Sequence, residues 1–429
     1  MGARTRGGSE DPSFVRRGSD CPEAPVVSVC ILVLTDPGMA LGCLESLHRS
    51  GCGVEAETVV VANGVPPGAR APLEAREDIV LVRSGTNLGF AGGNNLAGGV
   101  ARGRYLLFLN DDSTIEPGCI DRLVATAERH AGVGAVGARI LAADGSLQEA
   151  GSVLWDDGHA THVGRGLSGG TWAFSYVRDV DYVSANGLLV RRDAWEEVGG
   201  FDERYYPAYF EDADLCMAIR RRGHRVLYEP RARLRHLESQ STSPRYRNFL
   251  MSRNRRRFIA KWADELALFY RRPGRADSQA IERSINRARG MPPRVLVTTS
   301  AGAGGPEVAT APLVEALATT GWAVTVAAPA GVGEGDRPEP VAADTLVDLG
   351  VDVRRQDVAG VLADVGAEFE AIVASEPPTG RSALVLRTDG TPVPWITPTV
   401  DGGRFGIDRT LAAVVEAARR LPLPSPLIG

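Results

Sequence analysis

Apolar runs and helical repeats alternate along the first 270 residues of the chain. Four nearly continuous apolar runs occur, at 26–34, 58–61, 79–82 and 105–109. Such runs are typical of strands buried on both faces of a parallel sheet. The segment 39–48, between the first two runs, has apolar residues at roughly helical spacing. Strands that alternate with helices predict a doubly wound α/β sheet, in which ligands bind beyond the carboxyl ends of the strands.

A second set of elements follows a linker rich in Arg, Gly and Pro. An apolar strand is expected at 294–297, then a glycine-rich segment at 300–306, a helix to Ala318 and another strand at 322–326. Later strands are expected at 371–374 and 383–386, with a closing helix at 410–420. No fixed period relates the two sets, so we expect two domains rather than a repeat array. The predicted divisions are a flexible tail at 1–25, a first domain at 26–270, a linker at 271–292 and a smaller Rossmann-like α/β domain at 293–425.

Composition and charge exclude several classes of protein. The 429 residues carry a net charge of −5, which argues against a dedicated nucleic-acid binder. Lys261 is the only lysine, so no phosphate-loop or Schiff-base lysine is available in the early part of the chain. The six cysteines form no CxxC pair, which disfavours a zinc ribbon. No run of 18 apolar residues and no apolar leader occurs, so we expect a reduced, cytoplasmic protein.

Asn110, Asp111 and Asp112 follow directly after the fourth apolar run. Hard oxygen ligands in a short turn suit Mg²⁺ or Mn²⁺, and such a cation can hold a diphosphate. Turns of this composition are also common without a metal, because Asp can cap the turn that follows it. The tripeptide alone leaves both interpretations open.

Glu211, Asp212 and Asp214 begin a predicted helix whose last turn is Arg220–Arg222. Acids at the start of a helix and bases at its end are ordinary compensation of the helix dipole. Three acids within four residues nevertheless exceed what capping needs, and their repulsion costs stability unless a cation or a proton relieves it. A structural and a catalytic interpretation therefore remain open.

Two further features carry candidate chemistry. The segment 87–95 combines glycines, which let backbone approach a ligand closely, with asparagines, which offer donors and acceptors to a base or a sugar. The same loop can equally be a capped turn. His236 comes after a predicted strand at 225–228, and a lone histidine is more often structural than a ligand.

The order of these segments resembles that of the family 2 glycosyltransferases, in particular their rhamnosyl- and galactofuranosyltransferase-like group. The resemblance covers about residues 26–262, and its matching segments are 26–34, 58–64, 87–95, 105–116, 133–151, 181–202 and 209–239. It implies a GT-A fold, with a Rossmann-like mixed sheet flanked by helices. It also implies inverting transfer of a sugar from a UDP- or dTDP-linked donor to an acceptor hydroxyl, in the biosynthesis of a glycan, a cell envelope or a glycosylated metabolite.

The resemblance also implies roles for individual residues. Asp112, in the DxD-type motif Asn110-x-Asp112, and His236 are expected to bind Mg²⁺ or Mn²⁺. Asp212 matches the catalytic base, and Glu211 is expected to position it or an acceptor hydroxyl. The residues expected to bind the donor are Thr35, Asp36, Asn63, Asn87, Gly89, Asn94, Asn110, Asp111, Arg253 and Asn254. For Arg253 and Asn254, a contact with the acceptor is the alternative. We expect Asp112, Asp212 and His236 to converge at one cleft.

Two positions depart from the family pattern. Ala62-Asn63-Gly64 stands where the family usually has an Asp that recognises the base, and Thr35-Asp36 stands where the family has Tyr-Asn or His-Asn. Asp36 is the candidate to replace the missing carboxylate. The identity of the donor stays open for this reason.

The segment from Arg294 to about Leu421 resembles the N-terminal half of a GT-B glycosyltransferase, and we expect an accessory domain. The Arg- and aromatic-rich stretch 245–275 fits a helix packed on the first domain. It also fits a contact with an anionic membrane surface near a lipid-linked acceptor. We expect the protein in the cytoplasm, and the membrane contact would place it at the inner face of the plasma membrane. Glycan and small-molecule acceptors remain alternatives to a lipid-linked acceptor.

Two other functions compete with this interpretation. A catalytically degenerate, transferase-like scaffold or binding protein is suggested by Ala62 and by the GT-B-like segment, which lacks a second half. A sugar-phosphate nucleotidyltransferase shares the Rossmann-like layout. That class usually has a glycine-rich loop with Arg and Lys after the first strand, and residues 35–38 offer none.

Overall fold

The computed structural model describes residues 14–34, 37–169, 174–238 and 243–273, and short elements between 294 and 405. By its internal contacts the chain divides into two units. The first comprises 1–169 and 180–272, and the second comprises 170–179 and 273–429. The domain boundaries expected from the sequence stay predictions.

The strands up to residue 236 are β1 (Phe14–Arg17), β2 (Val27–Val33), β3 (Ala56–Asn63), β4 (Ile79–Ser84), β5 (Tyr105–Asn110), β6 (Ser113–Ile115), β7 (Val133–Ala142), β8 (Leu147–Glu149), β9 (Ser152–Leu154), β10 (Ala160–His162), β11 (Arg178–Asp179), β12 (Leu188–Arg191) and β13 (Arg225–His236). The helices are α1 (Pro37–Ser50), α2 (Ala71–Glu74), α3 (Gly89–Val100), α4 (Cys119–Arg129), α5 (Arg192–Val198), α6 (Glu211–Arg221) and α7 (Pro244–Leu266), with a 3-10 helix at Glu203–Tyr205.

The first unit is built on a mixed sheet that contains the order β1-β4-β3-β2-β5-β12-β7-β13. Strands β4, β3, β2 and β5 are mutually parallel, and they are the four apolar runs of the sequence. Strand β12 is antiparallel to β5 and β7, and β13 is parallel to β7. The predicted mixed α/β sheet flanked by helices is confirmed.

The register of the parallel strands brings several polar residues to one edge of the sheet. Leu32 pairs with Asn110, and Asn63 pairs with Ser84, so the carboxyl ends of β2 to β5 lie side by side. Strand β13 reaches the same region because its last residue, His236, pairs with Ser113 of β6. This edge is where an open α/β sheet binds its ligands.

Helix α3 packs closely on this sheet because it is rich in glycine. A Cβ atom added at Gly93 would lie 2.3 Å from Leu32 Cδ1, which is closer than two such atoms can approach. Beneath α3, the rings of Phe108, Trp195 and Phe201 pack with centroids 4.9 to 5.2 Å apart. This core supports the strand ends that carry the polar residues.

The second unit contains a parallel five-stranded sheet. Its strands are β14 (Arg294–Thr298), β15 (Ala323–Ala327), β16 (Asp352–Arg354), β17 (Ala371–Val373) and β18 (Trp395–Ile396), in the order β16-β15-β14-β17-β18. A helix at 313–318 and a pair of short strands, β19 (Val400–Asp401) and β20 (Arg404–Phe405), are also described. The strand expected at 383–386, the helix expected at 410–420 and the glycine-rich segment lie outside the described residues. The GT-B-like identity of this unit stays a prediction.

Candidate active site

The two candidate metal ligands are in direct contact. His236 Nε2 lies 3.1 Å from Asp112 Oδ1, and Asn110 Nδ2 lies 3.2 Å from the same ring nitrogen. The backbone N–H of Leu237 donates to the Asp112 carbonyl at 3.2 Å. The side chains of Asp112 and His236 are only 7% and 14% exposed. The pairing of β13 with β6 therefore brings together two residues that are far apart in the sequence.

This donor set fits a cation that a substrate helps to hold. One carboxylate oxygen and one imidazole nitrogen are usual metal ligands in proteins. Among the residues described, no group of three or more His, Cys, Asp and Glu side chains could enclose a metal ion. A cation here would therefore complete its coordination with water or with phosphate oxygens, as Mg²⁺ does at nucleotide sites.

Gln148 orients the candidate histidine ligand. Its Nε2 lies 3.0 Å from His236 Nδ1 and donates to Glu238 Oε1 at 2.9 Å. A ligating imidazole donates its second ring N–H to an acceptor, so Gln148 orients a ligating His236 when its amide is turned to present Oε1 to Nδ1. Sequence reasoning did not select Gln148, although it lies within the matching segment 133–151.

The candidate base, Asp212, lies in the first turn of α6. The two residues before the helix, Tyr209 and Phe210, have φ values of 79° and 78°, so a sharp left-handed turn precedes it. The Asp212 carboxylate accepts hydrogen bonds from the backbone N–H of Ala213, at 2.8 Å, and from that of Ala185. The start of α6 therefore faces the segment before β12.

Burial raises the pKa values of the two neighbouring acids, Asp212 and Glu211. Burial, with a contribution from the negative charge of Glu149, raises the pKa of Asp212 to about 6, although the two backbone N–H groups oppose the shift. Burial, and then the charge of Asp212, raises the pKa of Glu211 well above its ordinary value. At neutral pH, Asp212 is therefore mainly ionised, as a catalytic base must be.

The third acid of the cluster is structural. Asp214 accepts hydrogen bonds from Lys261 Nζ at 2.7 Å, from Trp262 Nε1 at 2.7 Å and from Tyr205 Oη at 2.9 Å. Only 2% of the residue is exposed. The only lysine of the chain thus relieves part of the repulsion that the sequence predicted for this cluster.

Three consecutive residues, Ser184, Ala185 and Asn186, connect the parts of the site. The backbone N–H of Ser184 donates to Glu149 Oε1 at 3.0 Å, and that of Ala185 donates to Asp212. Asn186 Oδ1 accepts from the backbone N–H of Asn110 at 3.1 Å and from Ser113 Oγ at 2.9 Å. The base and the candidate metal ligands are thereby tied to one short segment. Residues 184–186 lie within segment 181–202, which resembles the family pattern, but the sequence did not predict a function for any of the three.

Comparison with known proteins supports the family suggested by the sequence. Residues 28–164 match the sequence model of the family described as "Glycosyl transferase family 2". This segment therefore resembles a family 2 glycosyltransferase domain.

Two relatives resemble part of the chain. The O-antigen biosynthesis protein RfbC of Myxococcus xanthus is 31% identical over 226 residues, which are 51% of this chain and 18% of RfbC. The N-acetylglucosaminyl-diphospho-decaprenol L-rhamnosyltransferase of Mycobacterium tuberculosis is 31% identical over 204 residues, which are 42% of this chain and 66% of that enzyme. The chain thus spans less than two thirds of either relative. A crystal structure of GalNAc-T7 with UDP, GalNAc and Mn²⁺ matches with a TM-score of 0.46 at 15% identity, over 57% of this chain and 49% of the other.

Within residues 28–164, the asparagines expected to bind the donor hold their own loop. Asn63 Oδ1 accepts from the backbone N–H of Leu88 at 2.8 Å, and Asn87 Oδ1 accepts from that of Gly89 at 2.8 Å. Asn94 is buried and its Nδ2 donates to the Phe90 carbonyl at 3.0 Å. These bonds shape the loop at the carboxyl edge of the sheet. Donor binding by the loop stays a prediction, and Thr35 and Asp36 lie outside the described residues.

The structure gives Asn254 a role that differs from the expected donor or acceptor contact. Asn254 is completely buried, and its Nδ2 lies within hydrogen-bond distance of the carbonyls of Tyr205, Ala208 and Tyr209, at 2.8, 2.9 and 3.0 Å. Its Oδ1 accepts from Arg253 Nε at 3.0 Å. These hydrogen bonds hold the loop that leads into α6. Contact of Asn254 with a donor or an acceptor stays a prediction.

Helix α7 fits the packed-helix interpretation of the Arg-rich stretch. It buries Phe258, Trp262 and Leu266 against the first unit, whereas Tyr246 and Phe249 near its start are exposed and stack on each other. In the part of the chain that the structure describes, no helix is both long and apolar enough to cross a bilayer. The expected contact with a membrane surface stays a prediction.

Proposed function

We propose that the first unit is a metal-dependent, inverting glycosyltransferase that transfers a sugar from a UDP- or dTDP-linked donor to an acceptor hydroxyl. The observation that carries the proposal is the joint arrangement of the contacting pair Asp112 and His236 with Asp212, linked through residues 185–186. Asp112 and His236 suit a cation that binds a diphosphate, and Asp212 suits removal of a proton. Sugar transfer from a nucleotide diphosphate needs both at one site.

Asp112 and His236 would hold the cation, and the imidazole ligand favours Mn²⁺ over the harder Mg²⁺. The bound cation would stabilise the negative charge of the departing nucleoside diphosphate. Gln148 would keep the ring of His236 directed at the cation. Asn110, whose backbone N–H is held by Asn186, would keep the turn before Asp112 in place.

Asp212 would accept the proton of the acceptor hydroxyl as its oxygen attacks the anomeric carbon. A pKa of about 6 leaves the carboxylate mainly ionised at neutral pH, yet basic enough to take the proton. Glu211 would position Asp212 or an acceptor hydroxyl. Attack from the face opposite the leaving group inverts the configuration of the sugar carbon.

The relatives support a substrate class in glycan and cell-envelope biosynthesis. One is named for O-antigen biosynthesis and the other for rhamnosyl transfer to a decaprenol-linked sugar. We therefore propose a deoxyhexose or hexose donor and a glycan or lipid-linked acceptor, with small-molecule acceptors as the alternative class.

The test is a screen of dTDP-rhamnose, UDP-galactofuranose and UDP-N-acetylglucosamine for release of nucleoside diphosphate, with Mn²⁺ and with a chelator. We expect metal-dependent turnover that Asp212→Asn abolishes while binding of the nucleoside diphosphate is retained. Asp264→Asn, an exposed carboxylate on α7, is the matched control and should leave turnover unchanged. Undiminished turnover in Asp212→Asn would refute its role as the base. If calorimetry detects no metal-dependent binding of UDP or dTDP, the scaffold interpretation is favoured instead.

A further inference from the structure

A second buried carboxylate, Glu149, lies close to the candidate base. It ends β8 and is 2% exposed. Its Oε1 accepts from Ser152 Oγ and from the backbone N–H of Ser184, both at 3.0 Å, and its Oε2 accepts from Ser184 Oγ. Burial raises the pKa of Glu149, but the charge and hydrogen bond of His162, followed by the hydrogen bonds from Ser184, bring the pKa below its ordinary value. The site thus contains a fixed negative charge to which the proposed reaction assigns no role.

His162 is the partner of this charge. The antiparallel pairing of β10 with β9 places His162 opposite Ser152. The ring Nδ1 lies 2.9 Å from Ser152 Oγ and 3.3 Å from Glu149 Oε2. Burial lowers the pKa of His162, but the charge and hydrogen bond of Glu149 outweigh it and raise the pKa above its ordinary value. The imidazole is therefore oriented through one nitrogen and biased toward its charged form.

The pair is coupled to Asp212 by backbone and by charge. Ser184 binds Glu149 and the next residue, Ala185, binds Asp212, so the two carboxylates are attached to adjacent peptide groups. The negative charge of Asp212 raises the pKa of His162, and the positive charge of His162 lowers that of Asp212. The three side chains therefore alternate in sign.

We propose that Glu149, Ser152 and His162 form a positioning cluster for Asp212, in which the buried carboxylate and the hydroxyl fix the imidazole and the imidazolium keeps Asp212 ionised. The inference rests on the proposed function, in which Asp212 takes the acceptor proton. His162 acts through Asp212 and takes no proton from the acceptor itself.

The other charges around the cluster are compatible with this role. The titratable groups that face Asp212 are Glu149 on β8, His162 on β10, Tyr182 before β12, and Glu211 and Cys216 on α6. Burial raises the pKa of Tyr182 and brings that of Cys216 to about 12, so both are neutral at pH 7. Burial also raises the pKa of Glu211. Glu149 opposes ionisation of Asp212, and His162 offsets part of this effect. Arg165 also faces His162 and opposes its charge.

The first test does not depend on turnover. The ring of His162 is titrated by NMR in the intact protein and in Asp212→Asn. We expect the midpoint of His162 to fall by about half a pH unit or more in the variant, because a neighbouring negative charge is lost. His159, which is close in sequence and pairs with Asp157 at 2.9 Å, is the internal control and should not move. An unchanged midpoint of His162 would overturn the inference.

The second test is the pH dependence of kcat/KM in His162→Gln. Without the imidazolium, the acidic limb should move up by about one pH unit, so that activity falls about fivefold at pH 6 and recovers by about pH 8.5. Glu149→Gln, which keeps the shape of the side chain, should lower the midpoint of the NMR titration of His162. This variant replaces His162→Gln as the test if His162→Gln does not fold. His159→Gln should leave the profile unchanged. A loss by the same factor at every pH would indicate a purely structural role and contradict the inference.

The two tests separate this inference from the proposed function. If the intact protein transfers no sugar while the midpoint of His162 still responds to Asp212→Asn, the proposed function fails and the coupling stands. If Asp212→Asn abolishes transfer while His162→Gln leaves the acidic limb in place, the base assignment stands and the positioning cluster is refuted.

Discussion

Replacement of Asn254 by alanine tests whether this residue positions the loop before α6 or contacts a substrate. The side chain has two N–H donors, and three backbone carbonyls of residues 205–209 surround them. Asn254→Ala removes both donors and leaves buried carbonyls without their partner. An unsatisfied buried polar group costs about 1–3 kcal/mol, so losing two bonds should lower the free energy of unfolding by about 2–5 kcal/mol.

The measurement is urea unfolding followed by tryptophan fluorescence, together with donor binding by calorimetry. Asn248→Ala, at an exposed position of the same helix, is the matched control and should change stability by less than about 0.5 kcal/mol. We also expect kcat to fall more than donor affinity, because the loop leads directly to Asp212 and contributes to its placement. A loss of donor affinity with unchanged stability would refute the reasoning and restore the contact with the donor that the sequence suggested.

Four further predictions concern the base, the orienting glutamine and the glycine-rich helix α3. Because burial raises the pKa of Asp212 to about 6, protonation below that pH should inactivate the base and produce an acidic limb near pH 6; the opposite slope would exclude Asp212. A carboxyl group whose pKa is higher in the folded than in the unfolded protein destabilises the folded state at pH values above the unfolded pKa. Asp212→Asn should therefore raise Tm at pH 7, and the increase should disappear toward pH 4. Gln148→Leu should weaken Mn²⁺ binding in the presence of UDP by about 10- to 100-fold, since His236 loses its orienting partner; equal affinity by calorimetry would contradict this. Gly93→Ala should lower Tm because its Cβ collides with β2, whereas Gly99→Ala, which meets open space on the same helix, should raise the stability by about 0.5–1 kcal/mol.

The apolar pattern alone was sufficient to predict the central part of the sheet. Strands β2, β3, β4 and β5 coincide with the four apolar runs, and α1 contains the predicted helix at 39–48. This works because burial on both faces of a parallel strand leaves a continuous apolar run in the sequence. The same pattern predicted that polar residues after β5 lie at the ligand-binding edge, because the carboxyl ends of parallel strands share one side of the sheet.

The partners of the polar side chains were decided by the tertiary structure. Asp112 meets His236 only because β13 pairs with β6, and Glu149 meets His162 only because β10 pairs with β9. The sequence placed Asn254 at a substrate, and the structure buries it under a loop. The pattern of buried and exposed positions repeats every few residues, so it can be recognised in the sequence alone. A hydrogen bond between distant residues depends on strand register and loop path, which only the folded chain determines.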